Sequence, residues 1–94
     1  MVNPQIKILS KKYLKMNLKT LIKLYHECQT KNYTSPKIIE QFLNREPNHV
    51  ANILKFLEFD DLIIRRREQN ESKIFMTELG NQVAKEIINE LELT

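Results

Sequence analysis

Residues 57–80, LEFDDLIIRRREQNESKIFMTELG, constrain the fold more tightly than any other stretch of this chain. They predict the end of an amphipathic helix, a tight bend, a strand, a polar tip, a returning strand and a new helix. Leu62 to Arg67 is strand-like, β-branched at its start and arginine-rich at its end. Gln69, Asn70, Glu71 and Ser72 are expected to form the tip, and Lys73 to Met76 the return. The bend has no glycine, so Asp60 or Asp61 must take the left-handed conformation, which Asp tolerates better than most residues. Thr77 is placed to cap the last helix, with Glu78 favourable in its first turn.

Upstream, helical spacing recurs four times. Asn3 and Pro4 open a helix over about 4–15, with Ile6, Leu9, Tyr13 and Leu14 as its apolar positions. Asn17 is a candidate N-cap for a second helix, with a stripe of Leu18, Leu21, Ile22, Tyr25 and Cys28, ending near Asn32. Ser35 before Pro36 should cap a third, with Ile38, Ile39, Phe42 and Leu43 facing inward; Asn44, Arg45 and Glu46 form the following turn. Pro47 opens the fourth, where Val50, Ile53, Leu54 and Leu57 make a buried stripe. The final helix runs to about Leu93, with Val83, Ile87 and Leu91 in line and Ala84 and Ile88 beside them, an apolar face broader than one core contact requires.

Several function classes lose support on composition alone. Ninety-four residues make one domain with a small core. A single cysteine excludes an intramolecular disulfide and fits a reducing compartment. No apolar run is long enough for a membrane span, and Lys7, Lys11 and Lys12 interrupt any secretory signal, so a cytoplasmic location is expected. His26 and Cys28 project about 200° apart on a helix, too far to share a metal. With one glycine, Gly80, the chain has no Walker loop, GxGxxG turn or nucleophile elbow, so no enzyme chemistry and no cofactor are expected. Gly80 falls in the first turn of a helix, where a close approach to the hairpin or core would explain it. Charge is uneven: residues 1–23 hold six lysines and no acid, leaving nine basic and twelve acidic residues beyond. Such asymmetry suits a basic face toward a polyanion.

The order helix, helix, turn, helix, hairpin, helix is that of a winged helix-turn-helix: α+β, mostly α, with a two-stranded wing and flanking terminal helices. One domain would span 1–94, with the N-terminal helix in 1–16, the helix-turn-helix in 36–59, the wing in 62–76 and the C-terminal helix in 78–93. Over residues 17–94 the sequence resembles the MarR-type and related archaeal winged-helix transcription regulators. HVANILKFLEFDDLIIRRRE is similar to that family's recognition helix and first wing strand, and FMTELG to its post-wing "LTxxG" segment. Asp61 stands where the family commonly has Gly, and the tip lacks the family's common Asp-Arg pair.

The residues support a double-stranded DNA ligand by their own chemistry. Asn48, His49, Asn52 and Lys55 fall on or beside the face of the fourth helix opposite its buried stripe, and an Asn amide can pair bidentately with adenine. On the wing Arg65 and Arg67 should share one face and Arg66 the other, with Lys73 on the return strand. Their expected target is phosphate or the minor groove, against the plainer reading of a solvated strand paired with Glu68 and Glu71. Arg45 and Lys37 are candidate backbone clamps. Phe56 and Phe59 are expected to pack against the wing or first helix. The expected function is sequence-specific DNA binding by a homodimeric transcription regulator, its terminal helices pairing through Ile6, Leu9, Tyr13, Val83, Ile87 and Leu91. The main alternative is a winged-helix protein-protein adaptor without DNA binding; a membrane-surface role for the basic N-terminus is a further rival. No motif specifies an effector.

Overall fold

The computed structural model describes residues 15–93, with side chains over 16–91. Its elements are α1 (Lys15–Lys31), α2 (Pro36–Leu43), α3 (Pro47–Phe59), β1 (Ile63–Glu68), β2 (Glu71–Met76) and α4 (Glu78–Leu93). β1 and β2 form one antiparallel hairpin, with Ile63 opposite Met76 and Glu68 opposite Glu71. This is the expected α+β winged helix. Among the described residues no helix is long and apolar enough to cross a membrane. The helix expected over 4–15, and with it Ile6, Leu9 and Tyr13, lies outside the described residues.

The core is where the elements converge. Val50, Ile53, Leu54 and Leu57 of α3 are buried as their spacing requires. Against them lie Leu21 and Leu24 of α1, Ile39 and Leu43 of α2, Leu62, Ile63 and Ile74 at the wing base, and Val83, Ala84 and Ile87 of α4. Val83 and Ile87, expected at a dimer interface, therefore belong to this chain's own core at 1% and 3% exposure, whereas Leu91 is 61% exposed. The breadth of the α4 face is explained in part by its packing on α1 and the wing within one protomer.

Other details depart from the sequence-based expectation. Asn17 lies inside α1, buried, and is not its N-cap; the buried line of α1 runs through Thr20, Leu21 and Leu24, while Leu18, Ile22 and Tyr25 are only partly covered. Thr20 tolerates burial because its hydroxyl donates to the Met16 carbonyl at 2.8 Å. Ser35 occupies the N-cap position of α2 with extended backbone, but its side chain makes no capping hydrogen bond. Phe42 does not face inward: it is 41% exposed, with Lys19 and Lys23 Nζ lying 5.5 and 5.0 Å from its ring centre. Phe59, expected to pack, is 87% exposed.

One bend positions the wing. Asp61 takes the left-handed conformation at φ 61°, as one of the two aspartates had to, and Leu62 N–H then donates to the Leu57 carbonyl. Thr77 locks the bend from the other side. Its hydroxyl donates to the Asp61 carbonyl at 2.6 Å and accepts from Gly80 N–H at 2.9 Å, while its N–H donates to the Leu62 carbonyl. Gly80 rests directly on that Leu62 carbonyl, and a Cβ there would overlap the oxygen. Helix α4 can thus cross the bend only because residue 80 has no side chain. At the far end the tip is shorter than expected: Glu71 and Ser72 belong to β2, and a two-residue turn of Gln69 and Asn70, both left-handed, closes the hairpin. A single-residue bridge was not anticipated: Thr34 and Ile74 exchange both backbone hydrogen bonds, at 3.0 and 2.8 Å.

Candidate nucleic-acid interface

Helix α3 divides cleanly between core and solvent. Asn48, Asn52, Lys55 and Phe59 recur at i, i+4, i+7 and i+11, so they form one line, and all four are exposed. His49 and Phe56 flank this line on one side and Ala51 on the other, also exposed. The line carries two amides, one ammonium and one apolar ring. It offers donors and acceptors with little net charge, which suits discrimination between base edges better than bulk attraction. The turn before α3 is set by Asn44 at φ 55°, with Arg45 N–H returning to the Glu40 carbonyl. Arg45 itself is exposed, its guanidinium donating to the Asn44 carbonyl at 3.3 Å.

The wing is built from cations. Arg65, Arg66, Arg67 and Lys73 line a crevice of about 290 Å³ that also touches Pro36 and Glu58. The four are not equivalent. Arg65 is held by the Glu58 carboxylate through its backbone N–H, Nε and Nη2 at 3.3, 3.3 and 2.9 Å. That pairing differs from the Glu68 and Glu71 partners weighed from the sequence; those two glutamates face each other across the hairpin. The Arg65 guanidinium, donating to Glu58, lowers the Glu58 carboxyl below its ordinary value. Arg66 lies 5.9 Å over the Phe75 ring and Lys73 Nζ 4.6 Å over the Tyr33 ring, on the face opposite Arg65 and Arg67. Among the described residues Arg67 has no acidic partner.

Beside the crevice runs an open groove of about 570 Å³, where Lys37 from the start of α2 meets Lys31, Tyr33 and Lys73. The groove is lined as well by Glu40 and Glu71, and the Ser35 side chain does not cap the first-turn amides of α2. Lys31 and Tyr33 escaped the sequence reading because the end of a helix and the loop after it carry no periodicity that marks a site. Glu58 escaped it because its partner lies seven residues on, across a bend. His26 is exposed, edge-on to Tyr25, while the half-buried Cys28 thiol points to the Ile74 carbonyl at 3.7 Å. Burial raises the Cys28 thiol above its ordinary value, against a backbone hydrogen bond from Met76 that lowers it.

No protein-family model and no curated protein sequence matches the chain. Solved structures do. MepR of Staphylococcus aureus, described as a transcription regulator of the multidrug efflux pump MepA, is 25% identical with a TM-score of 0.75 over 93% of this chain and 66% of that one. A MepR–DNA complex matches with the same identity, coverage and TM-score. ZitR of Lactococcus lactis is 25% identical over 87% of this chain and 55% of its own, with a TM-score of 0.73. AF1382 of Archaeoglobus fulgidus shares the fold at 22% identity, with 95% of this chain and 94% of that one aligned and a TM-score of 0.79. The chain spans only 55% of the ZitR chain and 66% of the MepR chain. The resemblance read over residues 17–94, on the segments 49–68 and 75–80, thus holds for the described fold: this is a winged helix similar to the MarR-family transcription regulators.

Proposed function

We propose that the protein is a sequence-specific double-stranded DNA-binding transcription regulator acting as a homodimer, the 94 residues forming one winged-helix unit. One observation carries this reading. The same fold that buries one side of α3 leaves Asn48, Asn52 and Lys55 in line on the other, and gathers Arg66, Arg67 and Lys73 on the hairpin in a crevice that α3 reaches through Glu58. A near-neutral amide line reads bases; cations with few acids grip phosphate. The MepR–DNA complex among the similar structures supports the same ligand class. Lys37 at the start of α2 and Arg45 in the turn before α3 are assigned to backbone contacts and His49 to the flank of the reading helix. Two recognition helices would sit about 34 Å apart on successive turns of one DNA face.

The terminal helices are the proposed means of pairing. Residues 1–23 are lysine-rich, and α4 carries Glu78, Glu86, Glu90 and Glu92 against one lysine. Exposed Leu91 is the α4 position assigned to the interface, since Val83 and Ile87 are consumed by the protomer's own core. The test is a random-duplex binding selection with the purified protein, followed by a salt titration on the selected site. Enrichment of a two-half-site sequence with a steep salt slope is expected. Absence of any salt-sensitive duplex complex overturns DNA binding in favour of an adaptor. Sedimentation of the wild type and of Leu91→Asp tests assembly: a monomeric wild type at micromolar concentration overturns the dimer. Ile87→Asp is unsuitable, because it would break the protomer.

A further inference from the structure

We propose that Glu58 is a positioning residue for DNA binding: by clasping Arg65 it fixes the angle between the recognition helix and the wing. This role rests on the DNA-binding reading above.

Glu58 sits in the last turn of α3 and Arg65 near the start of β1, on either side of the Asp60–Leu62 bend. One carboxylate oxygen accepts the Arg65 backbone N–H; the other accepts Nε and Nη2. A single side chain therefore holds both the strand and the side chain that projects from it. The backbone contact is possible because Ile74, opposite Arg65, directs its own N–H and carbonyl away to Thr34, leaving the Arg65 N–H on the outer edge. Distal to this rung every residue but the half-buried Lys73 is exposed, and Arg66, Arg67 and the tip have no core to anchor them. A hairpin with six residues per strand is about 20 Å long, so a swing of about 10° at its base carries the tip about 3.5 Å, beyond the reach of a phosphate hydrogen bond. The wing can grip while α3 reads only if that angle is held.

Simple electrostatics makes the opposite prediction, which is what makes the idea testable. Glu58 is an acid among Arg65, Arg66, Arg67 and Lys73. Deleting it adds net positive charge to the crevice and frees Arg65, so charge alone tightens binding to any duplex. The clasp predicts weakening.

The experiment compares wild type, Glu58→Ala, Glu58→Gln, Arg67→Ala and the Glu58→Ala/Arg67→Ala double variant on the selected duplex across a salt series. Temperatures are chosen where circular dichroism shows each variant folded, and amide hydrogen exchange is followed over 63–76 in the free proteins. With the clasp, Glu58→Ala binds about tenfold more weakly and its salt slope falls by about one. The penalty for Arg67→Ala, about fivefold alone, largely disappears in the Glu58→Ala background, because an unheld wing has little grip left to lose. Glu58→Gln, whose amide oxygen still accepts the Arg65 N–H, falls between. Hairpin amides exchange faster in Glu58→Ala. Equal or tighter binding by Glu58→Ala with an undiminished slope overturns the role, as does full additivity with Arg67→Ala. If the wild type binds no duplex, the DNA reading and this role fall together, and faster exchange would leave Glu58 only a structural tie.

Discussion

The outer line of α3 and the outer half of the wing are both exposed, yet they are made of different chemistry. The helix presents two amides and a single lysine on a backbone fixed by four buried side chains directly behind it. The wing presents guanidinium groups on a two-stranded ribbon whose core contacts stop near Ile63 and Ile74. Rigid placement with little charge suits discrimination, and charge on a projecting arm suits grip, since base contacts carry sequence choice and phosphate contacts do not. What the two share is the bend between them, and substitutions sort by which part they touch.

The largest effect should come from the bend itself. Gly80→Ala pushes a methyl group into the Leu62 carbonyl, where backbone on both sides must move. A loss of about 3 kcal/mol in folding stability is expected, read by urea denaturation. Unchanged stability would mean that α4 does not rest on the bend as described. Next comes the helix. Asn52→Ala should cost about 1–3 kcal/mol on the preferred duplex and relax choice at one base pair. A uniform loss across all sequences would move Asn52 to the gripping class and erase the contrast. The wing should behave in the opposite manner. Arg67→Ala is expected to weaken all duplexes alike and lower the salt slope by about one, and a sequence-dependent loss would show that the wing reads as well as grips.

The smallest expected effect is on pH. Glu58 is lowered by its hydrogen bonds from Arg65, so its contribution is present above the ordinary carboxylate range and is lost as pH falls through the depressed folded value. Hairpin amide protection should therefore be level from neutral pH down to the ordinary range and decline only below it. Because the pair is more than a third exposed on the Glu58 side, solvent screening keeps this change modest. The same titration on Glu58→Gln should show no such decline.

Much of this was legible because it follows from period or from single-residue backbone chemistry. The stripe Val50, Ile53, Leu54 and Leu57 can be buried on only one face; an aspartate had to turn left-handed where glycine was missing; Thr77 had to cap; Gly80 had to sit close to something. The rest depends on distant partners. Phe42 looked like core until two lysines from α1 offered its ring a half-exposed place. Val83 and Ile87 look the same in sequence whether their neighbour is a second protomer or the first. For the interface, residue types and helical phase were legible for Asn48, Asn52 and Lys55. The ranking of the arginines was not, because it turns on Glu58 capturing one of three adjacent, identical side chains.

A two-stranded ribbon normally has two open flanks, each able to recruit a strand from another molecule. Here both flanks are stopped at one rung. Arg65 and Ile74 face each other across the hairpin; a carboxylate takes the N–H on one side and Thr34 takes the N–H and carbonyl on the other. An incoming chain would have to break in at the midpoint of the ribbon, and the stretches left on either side are too short to template a sheet. The rung held by Glu58 and Thr34 therefore leaves less of either flank of the ribbon open to a second strand.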